Sequence, residues 1–301
     1  MRVSVPRGIV VLVLACLSAA APVATHSADK DFPLSRIVRV DDIDVACQVF
    51  GAGDPLVMIM GYGGSMDLWS PRLLQLLSAA HRVLVFDNRG MGRSTSSSKE
   101  YSVPVFAEDT LGLMNALEID TATVLAWSLG TEIALELTLT HPERVKELVL
   151  ISGTPGGAER IQPAPEVERF FTGPSGTALE WGFHFIGLLF PQEWLMGHPF
   201  VWTYFPVHST MNSPERTARQ YAALTSWDGC FARLGQISCP VLIITGDEDV
   251  VAPPGNSLLL AEGIHASRLV RIPGGGHGVT FQYPDRIARE IAAFLGKTRL
   301  Q

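Results

Sequence analysis

Apolar runs recur along the chain at Ile37–Val40, Val45–Phe50, Leu56–Met60, Val83–Phe86, Thr123–Trp127, Leu148–Ile151, Val241–Thr245 and Leu269–Ile272. From the third onward they are nearly continuous, the pattern of strands covered on both faces. Between them, helical spacing appears near Pro71–Ala79, Val105–Leu117, Leu129–Thr140, Asn256–Gly263 and Pro284–Leu295. This alternation predicts an α/β fold built on a doubly wound, mostly parallel sheet that opens with an antiparallel hairpin.

The rhythm breaks over residues 155–232, where Thr154-Pro155-Gly156-Gly157 and Gly173-Pro174 punctuate helix-like segments without a strand pattern. The expectation is an inserted helical cap that divides a core of residues 29–154 and 233–301. Residues 158–231 hold 14 of the 25 aromatic residues, against roughly six for uniform placement. Some must build the insert's own core, and the excess predicts that others line a ligand cavity. Trp181, Phe185 and Trp202 are the candidates there, joined by Tyr62 and Trp127 from the core. The same stretch carries only 11 charged residues, with four arginines and no lysine, which suits an apolar small molecule and not a polyanion.

With 301 residues, 47% hydrophobic and 18% charged, the chain can bury a large core, which excludes disorder, collagen and a small disulfide scaffold. A formal charge of -7 and the absence of any basic run exclude nucleic acid as a partner. Arg2 and Arg7 precede the apolar run Gly8–Leu17 and the small residues Ser18-Ala19-Ala20-Ala21. That layout predicts a secretory signal over residues 1–28, too short to span a bilayer comfortably, in preference to an uncleaved anchor or a lipidated Cys16. Its loss would leave 21 basic against 30 acidic side chains, a charge of -9, on a secreted or periplasmic chain with no stable membrane insertion. Cys47, Cys230 and Cys239 would remain. Buried thiols are expected, although Cys230 and Cys239 are near enough in sequence to bridge. No CxxC or Cys/His cluster marks a metal site, and no cofactor is expected.

The chemistry centres on Ser128. The strand Thr123–Trp127 runs directly into Ser128-Leu129-Gly130 and then a helix, which places the serine on a sharp strand-to-helix turn. Small residues two positions to either side, Ala126 and Gly130, let such a strained turn pass its neighbours. Upstream, Leu56–Met60 opens into Gly61-Tyr62-Gly63-Gly64, where the Tyr62 N–H, paired with that of Leu129, can face an oxyanion. Only His265 and His277 follow the acidic turn Gly246-Asp247-Glu248-Asp249. His277 comes after the last strand and His265 before it, and open parallel sheets place their sites at the carboxyl ends of strands, so His277 is the candidate base. Asp247, Glu248 and Asp249 all remain open as its acidic partner. The stretch Asp87–Ser94 lacks the ending of a phosphate loop and reads as a structural turn.

With these motifs in order, the chain resembles the α/β-hydrolase-fold serine hydrolases that carry a helical cap. The resemblance rests on Met60-Gly61-Tyr62-Gly63-Gly64, Asp87-Asn88-Arg89-Gly90-Met91-Gly92-Arg93-Ser94, Ala126-Trp127-Ser128-Leu129-Gly130, Gly246-Asp247-Glu248-Asp249 with Pro253, and Gly276-His277. It covers nearly everything after about residue 36. It implies a cofactor-independent esterase or lactonase with Ser128, Asp249 and His277 as catalytic residues, since the acid in such families usually lies three residues after the turn glycine. Perhydrolysis, carbon-carbon bond hydrolysis and acyl transfer are admitted by the same residues, as is a silent ligand-binding relative. Two departures stand out: Met60 where a histidine often precedes the loop glycine, and Ala126 where glycine is usual.

Overall fold

The computed structural model describes residues 35–172, 178–205 and 212–296. The expected signal segment 1–28 lies outside these residues, as does the side chain of Trp181. Eight strands form one sheet: β1 (Arg36–Val40), β2 (Ile43–Phe50), β3 (Asp54–Ile59), β4 (His81–Phe86), β5 (Ala122–Trp127), β6 (Val145–Ile151), β7 (Val241–Gly246) and β8 (Ser267–Ile272). Their order is β1-β2-β4-β3-β5-β6-β7-β8. β1 and β2 pair antiparallel, as do β2 and β4, and every other neighbour is parallel. The central strand β5 is buried along its whole length, which is why its sequence shows no alternation. The edge strands carry the charges Arg36, Arg39, Arg268 and Arg271, which blunt edge-to-edge pairing.

Helices α1 (Pro71–Ser78), α2 (Val103–Ala116), α3 (Leu129–Thr140), α8 (Gly255–Gly263) and α10 (Pro284–Phe294) cover the sheet, with a short α9 (Val279–Gln282) before the last. α2 begins two residues earlier than its apolar pattern suggests. The hydroxyl of Ser102 accepts from the Val105 N–H as N-cap, and Pro104 sits in the first turn, where a missing N–H costs nothing.

Between β6 and β7 the chain forms α4 (Pro165–Thr172), α5 (Ala178–Leu189), α6 (Gln192–Gly197), α7 (Pro214–Thr225) and two 3-10 turns, with no strand among the described residues. The two ends of this insert are pinned together at its base. The Cys230 N–H donates to the Pro155 carbonyl at 2.9 Å. Gly156 takes φ +65°, and a side chain there would fall 2.4 Å from the Trp227 ring, so the glycine is required by both backbone and packing. Cys47, Cys230 and Cys239 are all free thiols, and burial pushes Cys230 up to about 12 and Cys239 up to about 11. No helix among the described residues is long and apolar enough to cross a membrane.

Candidate active site

Four loops at the carboxyl ends of β3, β5, β7 and β8 meet in one cleft. Ser128 occupies the turn from β5 into α3 with φ +56° and ψ -126°, a conformation that L side chains rarely adopt. The turn is held by Ser128 N–H donating to the Ile151 carbonyl at 3.0 Å, and by Thr131 N–H and Oγ1 donating to the Ser128 carbonyl at 2.8 and 2.7 Å. Gly130 admits no side chain, because a Cβ would lie 2.2 Å from the Ile59 carbonyl oxygen. The methyl of Ala126 is fully buried in β5, so the strand accommodates it.

His277 follows β8 and is 5% exposed; Asp249 follows β7 and is 3% exposed. His277 Nδ1 lies 2.9 Å from Asp249 Oδ2 and 3.1 Å from Oδ1. Asp249 Oδ1 also accepts from the Val251 and Ala252 N–H groups, at 2.9 and 2.8 Å. The carboxylate is therefore oriented by backbone and leaves one oxygen for the ring. Asp247 points elsewhere: its Oδ1 accepts from Arg271 Nε at 2.8 Å in an exposed pair. Of the three acids in the turn, the structure joins Asp249 to His277. The Trp127 indole N–H donates to the His277 carbonyl at 3.0 Å, and Gln282 holds the preceding glycines by accepting from Gly276 N–H and donating to the Gly274 carbonyl.

The cleft and its open mouth together hold about 440 Å³ of empty space. Met60, Gly61 and Tyr62 line it together with Ser128, Trp127 and His277, and the insert contributes Phe171, Phe185, Leu188 and Leu189. Gly61 lies hard against the serine, since a Cβ there would be 2.9 Å from Ser128 Cβ. Tyr62 packs edge-on to Phe171 and Tyr221, and burial raises its phenol above the ordinary value.

Of the aromatic residues expected in the cavity, Tyr62, Trp127 and Phe185 line it. Trp202 does not. It lies on a 3-10 turn of the insert, 43% exposed and packed edge-on to Phe200, because aromatic composition reports a segment's apolar excess and not the direction each ring takes. Residues outside the expected catalytic set also hold the site. Asn88 Nδ2 donates to the Met60 carbonyl at 3.0 Å and Asp87 Oδ1 accepts from Met66 N–H at 2.6 Å, so the turn Asp87–Ser94 braces the glycine loop. Beneath Ser128, Glu132 on the first turn of α3 is buried. The Thr154 hydroxyl donates to its Oε1, and burial pushes its carboxyl up to about 7.

Comparison with known proteins agrees with this architecture. The sequence profile of the alpha/beta hydrolase fold family matches residues 54–284. A protein of Azorhizobium caulinodans named a carbamate hydrolase, RutD, is 28% identical over 85% of this chain and 96% of its own length. One of Synechocystis named a non-heme chloroperoxidase is 28% identical over 84% and 95%. The solved structure of a thermophilic esterase from Thermogutta terrifontis superposes with a TM-score of 0.75 at 22% identity, covering 88% of this chain and 99% of that one.

Proposed function

Because the chain belongs to the alpha/beta hydrolase fold family and is a hydrolase on that fold, we propose that it is a serine hydrolase acting on an ester or lactone of a mainly apolar small molecule. The observation that carries this reading is Ser128 at positive φ on the strand-to-helix turn, opening into the cleft that the Asp249–His277 pair also reaches. In this reading Ser128 Oγ attacks the carbonyl carbon while His277 takes its proton. Asp249 holds the proton on Nδ1 and stabilises the imidazolium, and the Tyr62 and Leu129 N–H groups receive the oxyanion. His277 then returns the proton to the leaving alcohol, and water repeats the sequence to release the acid.

The cleft supports the substrate class. Apart from His277, its described lining residues are uncharged and mostly apolar, so a neutral acyl group loses little solvation there and gains from burial. A carbamate, the class in the RutD name, would react through the same steps. With no Lys or Arg in the described lining, a neutral carbamate ester suits the cleft better than a carbamate anion. The helical insert serves as the cap over this cleft. The Arg2–Ala21 layout supports export, which a native amino terminus between Ala21 and Asp29 would bear out and a retained Met1 would not.

The test is kcat/KM for p-nitrophenyl esters from acetate to decanoate. Each methylene buried beside Phe171, Phe185 and Leu188 is expected to raise it up to about fourfold until the cleft is full, after which it falls. A profile flat in chain length would remove the apolar-acyl reading.

A further inference from the structure

The loop that carries Tyr62 is held at its two ends by the core and at its apex by the insert. Asn88 takes the Met60 carbonyl and Asp87 the Met66 N–H. At the apex, Gly63 takes φ +64° and has no side chain by which to be held. Its N–H donates to Gln220 Oε1 at 2.7 Å, and its carbonyl accepts from Asn212 Nδ2, also at 2.7 Å. Asn212 Oδ1 in turn accepts from Gly92 N–H at 2.6 Å, in the turn that braces the loop from below.

Both side chains come from the insert, Gln220 from α7 and Asn212 from just before it. Gln220 is fully buried, and its Nε2 has no hydrogen-bond partner among the described residues. A buried amide with one half unsatisfied is unfavourable compared with an apolar side chain of the same shape, so packing alone does not account for a glutamine there. The neighbouring Arg219 fixes the same helix to the core: its guanidinium lies 4.0 Å above the Tyr101 ring and donates to Ser96 Oγ and the Lys99 carbonyl. α7 is thereby anchored on one residue and grips the loop with the next.

We propose that Asn212 and Gln220 are positioning residues: together they fix both polar groups of Gly63 and thereby aim the adjacent Tyr62 N–H at the oxyanion. This rests on the serine-hydrolase reading and extends it to the insert, which then does more than enclose substrate: it completes the geometry of the glycine loop. The two side chains touch no reacting atom and act on the transition state only through the loop. Their loss should slow acylation at each intact site while leaving ground-state binding nearly unchanged, since the oxyanion develops only in the transition state.

The test compares the full-length protein with Gln220→Met, Gln220→Glu and Asn212→Ala. Active sites are first titrated with a fluorophosphonate, and the single-turnover acylation rate with p-nitrophenyl acetate is then measured per titrated site. Gln220→Met and Asn212→Ala are expected to lower that rate by about 10- to 100-fold, with the substrate concentration that half-saturates the single-turnover rate little changed. Gln220→Glu keeps an acceptor for Gly63 N–H and restores the greater part of it. A merely structural role would reduce the number of titrated sites and leave the rate per site as in the parent, which overturns the proposal. If Gln220→Met does not fold, Asn212→Ala, at a half-buried position, decides alone by the same criterion. Failure of the parent protein to take the phosphonate on Ser128 would instead overturn the hydrolase reading itself.

Discussion

Replacing Asp249 by Asn is expected to cost far more activity than replacing Asp247, and the structure sets the size of the gap. Asp249 Oδ1 accepts from the Val251 and Ala252 N–H groups, and in the asparagine variant those donors would hold the amide oxygen in the same place. The amide nitrogen would then face His277 Nδ1 across the 2.9 Å now spanned to Oδ2. Nδ1 must accept that hydrogen bond, the ring proton moves to Nε2, and Nε2 can no longer take a proton from Ser128. The imidazolium also loses its counter-charge. Substitutions of this kind lower kcat by about 10^4, equivalent to roughly 5.5 kcal/mol in the barrier. Asp247→Asn removes only an exposed pair with Arg271, worth at most about 1 kcal/mol of stability, and kcat should stay within about twofold because no reacting group is touched. Steady-state hydrolysis of p-nitrophenyl butyrate by the two purified variants, with thermal melting as a control for folding, measures the difference. Comparable kcat losses, or the larger loss at Asp247, would refute the assignment of the acid.

Stability is expected to carry the signature of Glu132. Burial holds its folded-state pKa at about 7 against an ordinary value of 4.5, so between those values the native state binds more protons and stability falls as pH rises. The contribution is fully present below about pH 4.5, is lost on the order of 3 kcal/mol by pH 7, and is flat above. Melting curves from pH 4.5 to 8 should show this slope in the parent and its loss in Glu132→Gln; parallel curves would contradict it. For the insert's aromatics, Phe185→Ala should lower kcat/KM for hexanoate esters by about tenfold. Trp202→Ala should leave it unchanged, since its ring does not line the cleft, and equal effects from both would mean that the lining has been misplaced.

The sheet was legible because its strands are buried on both faces, so β3 to β7 appear as uninterrupted apolar runs whose ends differ from the structure by only a few residues. The helix starts at Pro71 and Pro284 agree with the helical spacing, whereas α2 begins two residues before Val105, because apolar spacing does not register the cap at Ser102. Ser128, His277 and the acidic turn were legible because a sharp turn demands small neighbours and because strand order restricts which histidine can reach the sheet's carboxyl edge. The choice of Asp249 over Asp247 could not come from spacing alone. It depends on Arg271, 24 residues away in β8, which takes Asp247 outward. Gln220 and Asn212 were invisible for a related reason: a polar residue on a helix carries no mark of its partner, and theirs lies about 150 residues upstream at Gly63. Trp202 shows the converse limit, since ring direction on a short turn depends on neighbours that composition does not encode.

The proposed hydrolase chemistry depends on Ser128 as the covalent nucleophile. Incubation with a fluorophosphonate, followed by proteolysis and mass spectrometry of the modified peptide, tests it most directly. The expected result is one phosphonyl group per chain, on Ser128, appearing in step with loss of esterase activity and absent from a folded, inactive Ser128→Ala variant. An adduct on any other residue, or full turnover by Ser128→Ala, would contradict it.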